Sequence, residues 1–322
     1  MKKSAMRIFA VLLSISICTV TVYGAEYLVP VGEVIGLQLS DSTVTVADFD
    51  DVLGSNAKEA GLCTGDKIIA IDGKAVSCAE DVRQVLRNCK GKVAVQLLRK
   101  DKQKTIHITP AATSDGPKLG VFLKEGVTGI GTVTWYDPQS NTFGSLGHGV
   151  NDGDGKLLQL TAGHAYAANV AAVKKGKVGQ PGQLRGALSN PDPIGELIRN
   201  TDHGLFGKTQ TGWCGQALPV ATAQEVHTGP ATIRSTVCGN DVQEYSVEIS
   251  KIYPQTKSGD KNMLIHITDT KLLEATGGIV QGMSGSPIIQ DGKLVGAVTH
   301  VLVNDPTRGY GIFIENMLDA AS

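Results

Sequence analysis

Apolar residues alternate with polar ones along much of the chain, and runs at helical spacing are few. Val34 to Leu39 is a strand-like run containing Gly36, and Val44, Val46 and Phe49 alternate with polar positions as in a half-buried strand. Ser55 to Leu62 predicts a short helical turn closed by Gly61. Lys67 to Ile71 predicts a strand, and Asp72-Gly73 behind it carries a hairpin signal. Ser77 to Asn88 predicts a helix: Ser77 and Glu80 have capping-box spacing, and Ala79, Val82, Val85 and Leu86 share one face. Val93 to Leu98 and Thr105 to Ile108 then complete a sheet.

Residues 31–109 therefore form one compact unit. The strings Asn56-Ala57-Lys58-Glu59-Ala60-Gly61-Leu62 and Gly65-Asp66-Lys67-Ile68-Ile69-Ala70-Ile71-Asp72-Gly73, with the helix that follows, resemble a bacterial PDZ domain. That resemblance implies a free strand edge beside the helix, where an extended peptide adds as a strand. Backbone N–H groups of Gly36, Leu37 and Gln38 are expected to face a C-terminal carboxylate, with Leu37, Leu39, Val82 and Leu86 lining a side-chain pocket. The rival expectation is a groove filled by the protein's own chain. Residues 110–118, small and polar with proline near both ends, predict a linker.

From 119 to 322 the chain is rich in Gly, Val, Thr and Ile. Strands are expected at Gly131–Tyr136, Leu157–Leu160, Ala231–Val237, Tyr245–Ile252, Met263–Thr268, Pro287–Gln290, Lys293–Val303 and Gly311–Ile314, with one helix at Asn316–Ala321. The pattern predicts an all-β barrel or sandwich, so the chain as a whole is mainly β.

Composition narrows the class. Of 322 residues 41% are hydrophobic, enough to build cores, and the formal net charge of −1 leaves no basic excess for nucleic acid. Lys2, Lys3 and Arg7 precede an uncharged apolar run, Ile8 to Val22, with small residues at Gly24 and Ala25. Residues 1–25 are thus expected to be an export signal, either cleaved or kept as a membrane anchor. Cys63, Cys78, Cys89, Cys214 and Cys238 beyond it form no CxxC pair, which speaks against a disulfide framework or structural zinc. The histidines show no metal-type cluster and no HExxH motif, so no cofactor is expected.

Candidate chemistry concentrates in two glycine-rich strings. Gly282-Met283-Ser284-Gly285-Ser286-Pro287 suits a nucleophilic serine, which needs a tight turn and nearby N–H groups for an oxyanion. Gly282 and Ser284 are the expected N–H donors. Gly144-Ser145-Leu146-Gly147-His148-Gly149-Val150 places a histidine at a strand end, where its ring can act as general base. His164 is a competitor, while His300 follows a strand and reads as structural. For the acid, Asp269 ends an alternating run 15 residues before Ser284, and Asp202, Asp152 and Asp154 are alternatives.

Together these strings, with Gly129-Ile130-Gly131-Thr132-Val133-Thr134, Tyr136-Asp137-Pro138, Gln180-Pro181-Gly182 and the run from Gly278 through Gly311, resemble the stage IV sporulation protein B peptidase family. The order of export segment, PDZ and peptidase is also that family's. The resemblance implies a trypsin-like double-barrel serine peptidase with Ser284 as nucleophile, His148 as base and Asp269 as acid, and Asp202 as the alternative acid. It also implies a protein substrate, a membrane-bound sporulation regulator, cleaved in the space between the forespore membranes to activate a late sigma factor. C-terminal peptides are the expected PDZ partners. A non-catalytic PDZ adaptor and an export chaperone are the rival readings; neither needs Ser284 and His148 in glycine-rich settings.

Overall fold

A computed structural model describes residues 27–253 and 261–322. The expected export segment over 1–25 lies outside the described residues. Among these residues no helix is long and apolar enough to cross a membrane.

The elements follow in chain order. β1 (Tyr27–Pro30) and β2 (Val34–Phe49) lead to α1 (Ser55–Glu59), β3 (Lys67–Ile71), β4 (Lys74–Ala75), α2 (Ala79–Arg87), β5 (Val93–Arg99) and β6 (Lys102–Ile108). Then come β7 (Val121–Asp137), β8 (Thr142–Ser145), β9 (Ala162–Lys174), β10 (Gln183–Thr201), β11 (Gly204–Thr209) and β12 (Leu218–Pro219). The last third holds β13 (Gly229–Thr236), β14 (Val242–Ile252), β15 (Met263–Ile267), α3 (Thr270–Thr276), β16 (Pro287–Gln290), β17 (Lys293–Leu302), β18 (Asp305–Phe313) and α4 (Ile314–Ala321).

Two barrels result. β13-β14-β15-β18-β17-β16 close one ring. The other ring runs β2-β7-β8-β11-β10-β9 and closes because β2 pairs with β7 along one edge and β9 along the other. Closure leaves no open sheet edge in either ring. Each barrel has its own core, one around Ile35, Phe143 and Leu205, the other around Ile233, Ile265 and Ile288. Between them Leu28, Trp135, Ala297 and Ile312 pack beneath Ile314 and Met317 of α4. Each large side chain buried this way contributes about 1.5–3 kcal/mol.

The PDZ unit is threaded through the first barrel. β2 and β7 both run on past it, and their register slips between Leu39 and Val44. Beyond the slip, Val44 to Phe49 pair with Val121 to Glu125, and β3 adds to β2, β5 to β3 and β6 to β5. A separate core around Ile68, Ile71, Val82, Leu86 and Val95 fills this unit. The α2 helix forms as its apolar spacing predicts, burying Val82 and Leu86. Asp72-Gly73 and Asp291-Gly292 both take positive φ, as two-residue hairpin turns require.

This threading corrects the expected peptide groove. Gly36, Leu37, Gln38 and Leu39 are hydrogen-bonded on both sides, to Gly129–Ile130 and Val127–Thr128 of β7 and to Gly163–Tyr166 of β9. With both edges occupied, that segment cannot accept an added strand. Leu157–Leu160, expected as a strand, holds only an isolated bridge from Leu157 to Asn151.

Candidate active site

The Ser284 turn enters β16 between the two barrels. Its geometry is fixed by Gly285 N donating to Val298 O (2.8 Å), Ser286 N to Met283 O (3.0 Å) and the Ser286 hydroxyl to Ser235 Oγ (3.0 Å). The first barrel grips it from β7: Thr132 N donates to Ser284 O (3.1 Å) and Thr132 Oγ1 to Gly282 O (2.8 Å). Gly285 has φ +96°, and a Cβ there would lie 2.1 Å from Thr132 O. Glycine is therefore required by backbone conformation and by barrel contact at once.

His148 sits on the segment leaving β8. It lines the same cleft as Ser284, a space of about 440 Å³ walled by Leu37, Leu39, Ile130, Val280 and Val301. Leu37 and Leu39, expected in the PDZ groove, thus line the catalytic cleft instead. The His148 Nδ1 lies 2.9 Å from Gly149 O. A carbonyl oxygen only accepts, so the neutral ring carries its proton on Nδ1 and leaves Nε2 free to take one. The Ser284 hydroxyl donates to Thr299 O at 2.6 Å rather than to His148. Among the described residues no carbonyl takes the N–H of Gly282 or of Ser284, which leaves both donors open for a substrate oxyanion.

The acid expected at Asp269 is elsewhere. Asp269 caps α3: its Oδ1 accepts from Leu272 N (3.0 Å), and its Oδ2 lies 3.5 Å from Ser246 N. It does not line the cleft. An N-cap aspartate satisfies an otherwise orphaned helix N–H, which accounts for this residue without catalysis. Asp152 and Asp154 are engaged by Lys67, at 2.8 and 3.1 Å. Burial pushes the Asp152 carboxyl up, but Lys67 and the N–H groups of Lys156 and Asp154 outweigh it and hold it below the usual carboxylate range. Asp202 lies on the β10–β11 turn and is exposed. His164 faces a different concavity with Glu196 and Lys208.

Sequence reasoning missed two features. His300 lines the catalytic cleft, its ring centroid 5.1 Å from that of His148. A groove of the PDZ unit lies between α2 and the start of β7, a space of about 590 Å³ lined by Val82, Leu86, Lys118, Leu119, Gly120 and Val121. Val82 and Leu86 were expected there. The Leu119-Gly120-Val121 string repeats the Ile35-Gly36-Leu37 pattern, an apolar residue and glycine before a strand, and that signal was legible. Gly120 has φ +72°, and a Cβ there would meet Leu53 O at 2.1 Å.

Residues 115–318 match the family model described as SpoIVB peptidase S55, and residues 52–100 match a PDZ domain model. No curated protein matches the chain. Among solved structures, the PDZ domain of an SdrC-like protein from Listeria monocytogenes is 26% identical, covering 25% of this chain and 85% of its own, with TM-score 0.22. The Rv3671c protease in its inactive form is 14% identical, covering 60% of this chain and 82% of its own, with TM-score 0.34. A mutant of Rv3671c from M. tuberculosis, also inactive, is 14% identical with TM-score 0.32, covering 60% and 80%. The family match spans well over half of the chain, so this protein belongs to the SpoIVB peptidase S55 family and is a serine endopeptidase carrying a PDZ unit.

Proposed function

We propose that this endopeptidase acts after export, in the space between the forespore membranes, and cleaves a membrane-bound regulatory protein of sporulation. The observation that carries the chemistry is one cleft holding Ser284, His148 and the open N–H groups of Gly282 and Ser284. The sporulation setting rests on the family name. In the reaction the Ser284 hydroxyl leaves Thr299 O by rotating about χ1 and gives its proton to His148 Nε2 while Oγ attacks the scissile carbonyl. The two N–H groups take the oxyanion, and His148 returns the proton to the leaving amine. Water, deprotonated by the same imidazole, then hydrolyses the acyl-enzyme. The PDZ groove holds a substrate C-terminus as an added strand on Val121–Leu123, with the carboxylate at Leu119–Gly120.

Two measurements test this reading. A serine-directed fluorophosphonate should label the wild-type chain and not Ser284→Ala; failure to label the wild type favours the adaptor reading. In a spore-forming host, replacing the gene with the Ser284→Ala allele should leave one membrane-bound regulator uncut. An unchanged profile of membrane-protein cleavage would remove that substrate class.

A further inference from the structure

Among the residues that line the cleft no carboxylate orients His148, and the contacts of the segment leaving β8 point to one beside it. Leu205 pairs with Ser145. Past that pair, Leu146 and Gly147 turn through φ +69° and +70°. A Cβ on Gly149 would lie 2.8 Å from Thr201 O. Further on, Asn200 Oδ1 accepts from Val150 N (2.9 Å), and Asn200 Nδ2 donates to Val150 O (2.8 Å) and Leu158 O (2.8 Å). The segment that carries His148 thus leaves β8 beside Leu205 and runs past Thr201 and Asn200, at the foot of the β10–β11 turn that holds Asp202.

Asp202 and His148 are thus carried by neighbouring backbone segments, and both lie outside the strands that flank them. The β10–β11 turn is itself held in place, with His203 N donating to Thr201 Oγ1 (3.2 Å) and Thr201 Oγ1 to Gly204 O (3.2 Å). Among the described residues, no hydrogen bond or ion pair engages the Asp202 carboxylate. Asp269, Asp152 and Asp154 are all committed, to a helix cap and to Lys67.

We propose that Asp202 is the positioning carboxylate of His148: in the working enzyme it replaces Gly149 O as acceptor of the Nδ1 proton. This rests on the proposed roles of Ser284 and His148. A carboxylate there fixes the tautomer that leaves Nε2 basic and stabilises the imidazolium formed as Ser284 attacks. The other titratable groups on neighbouring segments are His300 on β17, His203 beside Asp202, and Asp152 and Asp154 on the loop that follows, both paired with Lys67 of β3.

The test uses the full chain and the rate of fluorophosphonate labelling, which needs no known substrate. Asp202→Asn should lower the rate by on the order of 10⁴-fold, as loss of the orienting aspartate does in serine-protease triads. Asp202→Glu should recover part of the rate. Asp269→Asn, which keeps a capping side chain, should label within threefold of wild type. Matching melting curves exclude unfolding as the cause. The proposal is overturned if Asp202→Asn labels within threefold of wild type, if Asp202→Glu recovers none of the lost rate, or if Asp269→Asn carries the loss instead. Absence of labelling in the wild type would overturn the Ser284 assignment and this inference with it.

Discussion

Replacing Thr132 by valine removes one hydroxyl from the wall between the barrels and nearly nothing else. Thr132 is fully buried, and its Oγ1 donates to Gly282 O at 2.8 Å. That bond fixes the plane of the peptide that follows Gly282, next to the two N–H groups proposed for the oxyanion. Valine leaves the Gly282 carbonyl buried without its donor, at a cost of about 1–3 kcal/mol. The peptide regains solvation only by turning, and turning displaces the oxyanion donors. If the whole cost falls on the transition state, kcat drops by about 5- to 150-fold, since each 1.36 kcal/mol is tenfold. The ceiling is the ~10²–10³-fold loss seen when an oxyanion donor is deleted outright. The assay is steady-state hydrolysis of a fluorogenic peptide alongside a thermal melt, with KM expected to change little. A kcat per folded enzyme within twofold of wild type would refute the coupling between β7 and the oxyanion site.

Three further outcomes follow from the same geometry. Gly285→Ala places a Cβ 2.1 Å from Thr132 O and 2.5 Å from Leu146 N at φ +96°, so the chain should lose several kcal/mol and yield little soluble protein, read by expression and calorimetry. Gly120→Ala should weaken binding of C-terminal peptides at least about tenfold by fluorescence anisotropy, whereas Gln38→Ala, on the barrel, should leave binding unchanged. The Lys67–Asp152 contact ties the loop after His148 to the PDZ unit. Burial lowers the Lys67 pKa, but Asp152 and Asp154 outweigh it and raise it overall; Asp152 is shifted down. The lysine's contribution is present below its unfolded pKa and lost as pH rises through the raised value. The aspartate's is present above its unfolded pKa and lost as pH falls through the depressed one. Lys67→Met should therefore lower the melting temperature by about 2 °C at pH 7, for a tie of roughly 1 kcal/mol, with the difference vanishing near pH 2.

Much of the local structure was legible because its causes are local. The apolar stripe of α2, the two Asp-Gly hairpins and the glycine-flanked Ser284 and His148 are properties of a few consecutive residues. β9 was missed because it is built largely of alanine, a poor strand former, and β10 because a long stretch of it is exposed and carries Pro191 and Pro193. Asp269 looked like the end of a strand, and it is also the start of α3. Seven residues from Thr270 to Thr276 carry too weak a helical pattern to reveal its capping role.

By itself the sequence determined the class of chemistry, a serine with a histidine in turns built for catalysis, and the presence of a PDZ unit before a β-rich domain. Only the tertiary structure decided that β2 and β7 each serve two units, that a groove of the PDZ unit opens at Leu119–Val121, and that Asp269 caps α3 outside the cleft of Ser284 and His148. The reason is physical. Alternation fixes which face of a strand is buried, but barrel closure depends on which distant strand takes its hydrogen bonds, and no local pattern records that choice.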